Sequence, residues 1–396
     1  MTPPSAALVR RLLAPPATCL LLLLLPAAAA RAAPISLGVF VPDVFEHPGR
    51  VAAYGKQVGR QPVIVLSYKN WSVEPFYEPE LERLWAGGAV PLVTWEPETA
   101  DGEGIPLREI VERRHDRYIR RAAEAAAAWG KPIMLRFAQE MNGDWYPWGH
   151  QVDGNTPRLY REAWHRVFWI FRNHGADNVK WVWSPNADAG GGHPLAVFYP
   201  GDEFVDWVGI DGFCWGGDIG WPSFTAIFGS TYDRIVGITS KPIMIAETAA
   251  GEEGGNKAEW IASALEREAP AFPNIRALVW FNDEDPKGDL RVDSSPAALT
   301  AFRKAIASPT YGGTRRTLLA TPESLPPGSA APAEPSGGYG APSLLEELRL
   351  KLHGRYLVLA IAIGVAVLIL IVAVVSLFWR RRSRRARTTR PARAER

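Results

Sequence analysis

Residues 133–149 read IMLRFAQEMNGDWYPWG: a short apolar run that ends in an amide, a carboxylate and a loop rich in tryptophan and tyrosine. A run of this kind, without polar alternation, suits a strand covered on both faces, as in a parallel sheet. The same unit recurs along the chain. Apolar runs at 35–41, 62–67, 90–95, 179–183, 207–210, 243–246 and 277–281 join the one at 133–138 to make eight. Between most of them lie stretches with helical spacing, at 80–86, 107–129, 157–174, 225–238 and 257–268. Alternating strands and helices imply the α/β class, a parallel sheet sheathed by helices. Eight such units over roughly 275 residues predict a closed (β/α)8 TIM barrel, a fold typically about 250 residues long. A doubly wound open sheet is the runner-up, but it wants a glycine-rich phosphate turn after the first strand, and residues 39–46 offer none.

The ends of the 396-residue chain read differently. Arg10 and Arg11 precede a leucine run at 20–25 and then small residues, the pattern of an export signal over 1–33. Residues 356–379 form an uncharged apolar stretch, long enough to cross a hydrocarbon core that takes about 20 helical residues, and an arginine-rich tail (380–396) follows. Arginine-rich flanks stay cytoplasmic. The expected order is therefore signal (1–33), barrel (34–311), a disordered Pro/Gly/Ser-rich spacer (312–343), a juxtamembrane segment (344–355), one transmembrane helix (356–379) and a cytoplasmic tail. Membrane partnership through that C-terminal helix and a single-pass cell-membrane location with an extracytoplasmic barrel follow as expectations. Removing the +8 of residues 380–396 and the +3 of residues 1–33 from the total of +2 leaves about −9 for the rest. An acidic domain is a poor nucleic-acid binder, so that class is set aside. Only Cys214 remains beyond the signal, which rules out an intrachain disulfide in the exported domain.

Barrel enzymes carry their working residues at the C-terminal ends of strands. Polar and aromatic residues gather at those positions here: Ser67 to Trp71, Trp95 and Glu96, Gln139 and Glu140, Ser184 to Asn186, Asp211 to Phe213, Glu247 and Thr248, Asn282 and Asp283. Two of the carboxylates, Glu140 after strand four and Glu247 after strand seven, face each other across a barrel mouth. A retaining glycosidase needs one carboxylic acid and one carboxylate about 5–5.5 Å apart. An ionised Glu247 raises the affinity of Glu140 for its proton, and Arg136, at the strand parity of Glu140, is placed to keep Glu247 charged. Trp71, Trp95, Trp145, Trp148, Trp215, Trp221 and Trp280 lie at or just beyond strand ends, where indole faces suit the C–H faces of pyranose rings. The histidines show no metal-ligand spacing, and no cofactor is called for.

These segments resemble glycoside hydrolase family 26, the mannanase family of retaining (β/α)8 enzymes. The resemblance rests on residues 136–149 and 245–247, and extends through Tyr199 to Asp202, Asp206 to Gly212 and Leu290 to Ser295. It implies that Glu140 is the acid/base, Glu247 the nucleophile, Trp280 the aromatic floor and Asp211 an acidic residue beside the nucleophile. The family's histidine before the acid/base is Gln139 here, expected to donate an amide hydrogen bond to a sugar 2-hydroxyl. Its tyrosine two residues after the strand-six aspartate is Phe213.

The expected catalytic residues are thus Glu140 and Glu247, with Gln139, Trp145, Trp148, Asp211, Phe213, Trp280, Trp71 and Trp95 as substrate contacts. The expected function is membrane-anchored extracytoplasmic hydrolysis of a β-linked polysaccharide, mannan-type or another β-glycan, by retaining double displacement. The alternative is a non-catalytic glycan-binding or polysaccharide-assembly protein on a hydrolase scaffold.

Overall fold

The computed structural model describes residues 33–47, 49–187, 194–322 and 324. Eight parallel strands close in sequence order into a barrel: β1 (Ser36–Phe40), β2 (Ile64–Asn70), β3 (Val90–Glu96), β4 (Ile133–Phe137), β5 (Val179–Trp183), β6 (Trp207–Asp211), β7 (Ile243–Thr248) and β8 (Ile275–Phe281). Pairing of Ser36 with Ala277 through Phe40 with Phe281 shuts the barrel. All eight expected strands are present. The helices are α1 (Gly49–Val58), α2 (Glu78–Ala86), α3 (Leu107–Val111), α4 (Asp116–Trp129), α5 (Pro157–Asn173), α6 (Phe224–Val236), α7 (Lys257–Ser263), α8 (Pro296–Ile306) and α9 (Arg315–Leu319).

Alternation along each strand sorts side chains into two shells. Ile64, Leu66, Val90, Leu92, Met134, Val182, Met244, Ala246, Ala277 and Val279 fill the barrel interior. Their neighbours in sequence, such as Val65, Val93, Leu135, Ile245 and Leu278, face the helices. The interior is tight. A Cβ on Gly38 would lie 2.8 Å from Val279 Cγ2, and one on Gly209 would lie 2.3 Å from Ser184 Oγ. The helices present matching apolar stripes. In α5, Thr156 caps the first turn by accepting from the Leu159 amide and Pro157 occupies the start. Tyr160, Ala163, Trp164, Val167, Phe168 and Phe171 then recur at three- and four-residue spacing and are buried. The single helix expected over 107–129 is instead two, α3 and α4. Charged residues 112–116 carry no apolar stripe to hold a helix against the barrel, and Arg113 takes a left-handed φ of 71°.

The far end of the barrel is closed by α9, which falls in the stretch read from sequence as spacer. Thr314 and Thr317 cap it reciprocally, and Leu318 is buried against the barrel's inner residues. Arg315 donates to the Trp85 carbonyl at 2.7 Å and lies over the Trp85 ring.

The membrane part of the sequence reading is corrected by this structure. Among the described residues no helix is long and apolar enough to cross a membrane. The longest, α5, has 17 residues and carries Arg158, Arg161, Glu162, Arg166 and Arg172, whereas a span takes about 20 apolar ones. The membrane-anchored function, the membrane as partner and the cell-membrane location are therefore withdrawn. The segment expected to span, 356–379, lies outside the described residues, as do 1–32, 325–355 and the arginine-rich tail.

Candidate active site

The mouth of the barrel is built around Arg136, which points inward from β4 and is fully buried. Its Nε donates to Thr94 Oγ1 and its Nη1 to Asp211 Oδ1, both at 2.8 Å. Its Nη2 donates to Glu247 Oε1. Burial opposes the charge, yet the carboxylates of Asp211 and Glu247 hold the guanidinium well above its ordinary range. Asp211 is further fixed by Ser184 Oγ at 2.8 Å. A buried cation shared by two carboxylates satisfies the charges that burial would otherwise penalise by several kcal/mol each.

Glu247 reaches this network through an irregularity in β7. Strict alternation after Met244 and Ala246 would turn Glu247 outward. Pairing with β6 steps from Ile210–Ile245 directly to Asp211–Glu247, so one residue of β7 is left over. That bulge re-aims the side chain into the mouth. There Tyr68, from the inward face of β2, also donates to Glu247 Oε1.

Glu140 stands just beyond β4, where Ala138 and Glu140 both take left-handed backbone, at φ 48° and 53°. Such residues cost roughly 1–3 kcal/mol each and persist where surrounding bonds over-determine them. Here the Glu140 amide donates to the Ser184 carbonyl at 2.7 Å. Its carboxylate accepts from Trp145 Nε1 at 2.7 Å and from Asn186 Nδ2 at 2.6 Å. Asn142 locks Asn186 in place through two hydrogen bonds of 2.9 Å. Burial and then the Glu247 charge raise the Glu140 carboxyl above the usual carboxylate range, while its two donors pull the other way. One carboxyl thus tends to keep its proton beside another that is held by a cation and a phenol.

The remaining expected contacts divide. Gln139 is buried beside Glu140, and its amide nitrogen donates to Glu96 Oε1 at 2.9 Å rather than into the open mouth. Asp211 is at the network described above. Phe213 packs against Trp215 and edge-on to Phe281. Trp145 is half-exposed. Trp148 is buried, stacked on Tyr146, with its N–H bonded to the Gln139 carbonyl. Trp71 and Trp95 pack on each other and on Tyr118, outside the barrel wall. Trp280 faces Phe302 and Trp260 and is fully buried. These last three have no face free for a sugar. The aromatic ring at the mouth end of β8 is Phe281, which stacks on Phe40. Tyr68, Ser184 and Asn186 were noted from sequence only as members of strand-end clusters, and Thr94 and Phe281 were not noted at all. Counting inward positions from Ile64 and Leu66 would have reached Tyr68, and from Ala277 and Val279 would have reached Phe281.

Residues 112–271 match Glycosyl hydrolase family 26. Endoglucanase H of Acetivibrio thermocellus is 38% identical over 294 residues, 72% of this chain and 31% of that protein. A mannan endo-1,4-beta-mannosidase of Bacillus subtilis is 32% identical over 125 residues, 30% of this chain and 31% of that protein. The chain thus spans about a third of the length of these curated relatives. Among solved structures, a modular endo-beta-1,4-mannanase from Cellulomonas fimi superposes with a TM-score of 0.56 at 20% identity, covering 76% of each chain, a likeness of fold. On the family match and the 38% identity over 72% of the chain, the chain carries a catalytic domain of glycoside hydrolase family 26, and the matching stretch includes Glu140 and Glu247.

Proposed function

We propose that the protein hydrolyses a β-linked glycan by retaining double displacement, with Glu140 as acid/base and Glu247 as nucleophile. The observation that carries this reading is the asymmetry between the two glutamates. Glu140 is pushed toward its protonated form by burial and by its partner's charge. Glu247 is held by the Arg136 guanidinium and the Tyr68 hydroxyl on the same oxygen, Oε1. We assign the other oxygen, Oε2, as the attacking atom.

In the first step Glu140 protonates the glycosidic oxygen while Glu247 attacks the anomeric carbon, giving a covalent glycosyl-enzyme and a free leaving chain. In the second, Glu140 takes a proton from water, which displaces Glu247. Arg136 and Tyr68 stabilise the carboxylate that leaves. Trp145 lies at the edge of the mouth with its indole bonded to Glu140, a position suited to the sugar on the leaving-group side. For substrate we favour a β-glucan over mannan. A relative matched over 72% of this chain is named an endoglucanase, and Gln139 and Phe213 stand where the mannanase family is expected to carry histidine and tyrosine.

The test is a panel of β-glucans, mannan and β-xylan offered to the full chain and to its Glu140→Ala and Glu247→Ala variants. We expect release of sugar from a β-glucan, reduced at least 10²-fold in either variant, the scale of an acid/base contribution. Near-normal turnover in either variant, or no product from any glycan, would contradict the proposal.

A further inference from the structure

Among the described residues the exposed tryptophans are Trp145, at the mouth, and Trp169, which is 53% exposed on the outer face of α5. Trp164, Phe168 and Phe171 carry the apolar stripe of that helix and are buried, and Trp169 falls off it. Its ring meets Phe168 and Phe204 only in T-shaped contacts, at centroid separations of 5.5 and 6.0 Å. A lone exposed apolar side chain is ordinary; what sets this one apart is its surroundings. Trp169 forms one wall of a hollow of about 200 Å3 between α4 and α5, whose other walls carry Arg113, Arg120 and Arg166 with Asp116, Asn173 and His174.

Three guanidiniums against one carboxylate make this hollow cationic, on a domain whose sequence is acidic overall. Asp116 is already engaged. Arg166 donates to both of its oxygens, through Nε at 2.9 Å and through Nη2, and Arg113 Nε reaches Oδ2 at 3.3 Å. Partial burial works against the charge of Asp116, yet Arg166 and Arg113 hold its carboxyl below the usual carboxylate range. Arg120 stands one turn further along α4 and is exposed. Among the described residues its guanidinium has no ion pair or hydrogen bond, and neither the Asn173 amide nor the Trp169 N–H has a hydrogen-bond partner.

A free guanidinium, a free amide and an open indole face around one hollow suit a sugar that carries a carboxylate. Guanidinium and carboxylate pair through two parallel bonds. An indole face suits the C–H face of a pyranose, and an amide serves hydroxyls as donor and acceptor. The hollow is smaller than the roughly 300–1,000 Å3 that encloses a drug-sized ligand, which suits one sugar ring with the chain running on over open surface. The mouth disfavours the same ligand. Glu96, Glu140, Asp211 and Glu247 gather there, and its buried guanidinium, Arg136, is already shared by two of them.

We propose that this hollow is a second saccharide site, on the flank of the barrel, that takes a uronic acid residue of a β-glycan: Trp169 stacks on the ring, Arg120 pairs with the carboxylate and Asn173 meets a hydroxyl. Flank and mouth thereby sort sugars by charge. The site needs neither catalytic glutamate, so it stands apart from the proposed hydrolysis.

The full chain, labelled with 15N-tryptophan, is titrated with cellotetraose and with its C6-oxidised counterpart, a β-1,4-linked tetraglucuronate. Loss of a signal in Trp169→Phe and in Trp145→Phe identifies the two indoles. We expect the tetraglucuronate to shift the Trp169 indole and leave Trp145 unmoved, and cellotetraose to leave Trp169 unmoved. By calorimetry, tetraglucuronate binding should weaken at least about tenfold in Trp169→Ala, which removes the stacking face. It should weaken roughly three- to tenfold in Arg120→Gln, an exposed change that leaves the core untouched, and should fall with added salt. Hydrolysis of a neutral glycan should be unchanged in both variants. An unshifted Trp169 indole, equal shifts from the neutral and acidic tetrasaccharides, or wild-type affinity in Arg120→Gln would overturn the inference. So would self-association of the wild type that Trp169→Ala abolishes, which would make the hollow a contact between copies of the chain.

Discussion

Unlike surroundings divide two like carboxyls, Glu140 and Glu247. Glu140 must hold a proton to act as acid, so activity is present below its raised pKa and falls as pH climbs through it. Trp145 and Asn186 favour the ionised form, because each donates to the carboxylate. Removing the indole donor in Trp145→Phe should therefore move the alkaline limb of kcat/KM, which reports the free protein and the first step, to higher pH. An unmoved or lowered limb in a pH–rate profile would contradict this. Tyr68 makes a comparable test on the other side. In Tyr68→Phe the loss of a hydrogen bond to a charged group, about 1.5–3 kcal/mol, should lower kcat/KM roughly 10- to 100-fold without unfolding the barrel. The sequence placed Glu140, Glu247 and Asp211 at strand ends correctly, because a carboxylate just after an apolar run is conspicuous. It did not single out Tyr68, since a tyrosine in the run Ser67 to Trp71 is one aromatic among several until the strand's inward face is known.

At the scale of elements, periodicity was easily read and irregularity was not. Eight apolar runs were enough to name the strands, because strands buried on both faces leave little else to mistake them for. The bulge in β7 that turns Glu247 inward has no mark in the letters 243–248, IMIAET. The same blindness to facing put Trp280 in the mouth, whereas inward alternation gives that place to Phe281. Composition also misled at α9. Residues 312–322 look like the beginning of a linker, yet Leu318 plugs the barrel floor. Leu318→Ala should cost about 2–4 kcal/mol, measured by urea unfolding, with kcat unchanged. A stability equal to wild type would mean that α9 merely rests on the barrel.

Across the whole molecule, the proposed catalytic groups gather at one end of the closed barrel, and α9 covers the other. A single residue, Arg136, ties the site together across four strands, from Thr94 on β3 to Asp211 on β6 and Glu247 on β7. Arg136→Lys keeps the charge but cannot keep three directed bonds, so it should lose most activity while retaining a cooperative melt. In the proposed mechanism Glu247 becomes bonded to the sugar. It is tested most directly by incubating the protein with a 2-deoxy-2-fluoro glycoside of a hydrolysed oligosaccharide, followed by peptide mass mapping. One glycosyl adduct is expected, on the peptide that carries Glu247, and none in Glu247→Ala. An adduct on another residue, or turnover of the natural glycan with no adduct and with inversion at the anomeric carbon, would contradict it.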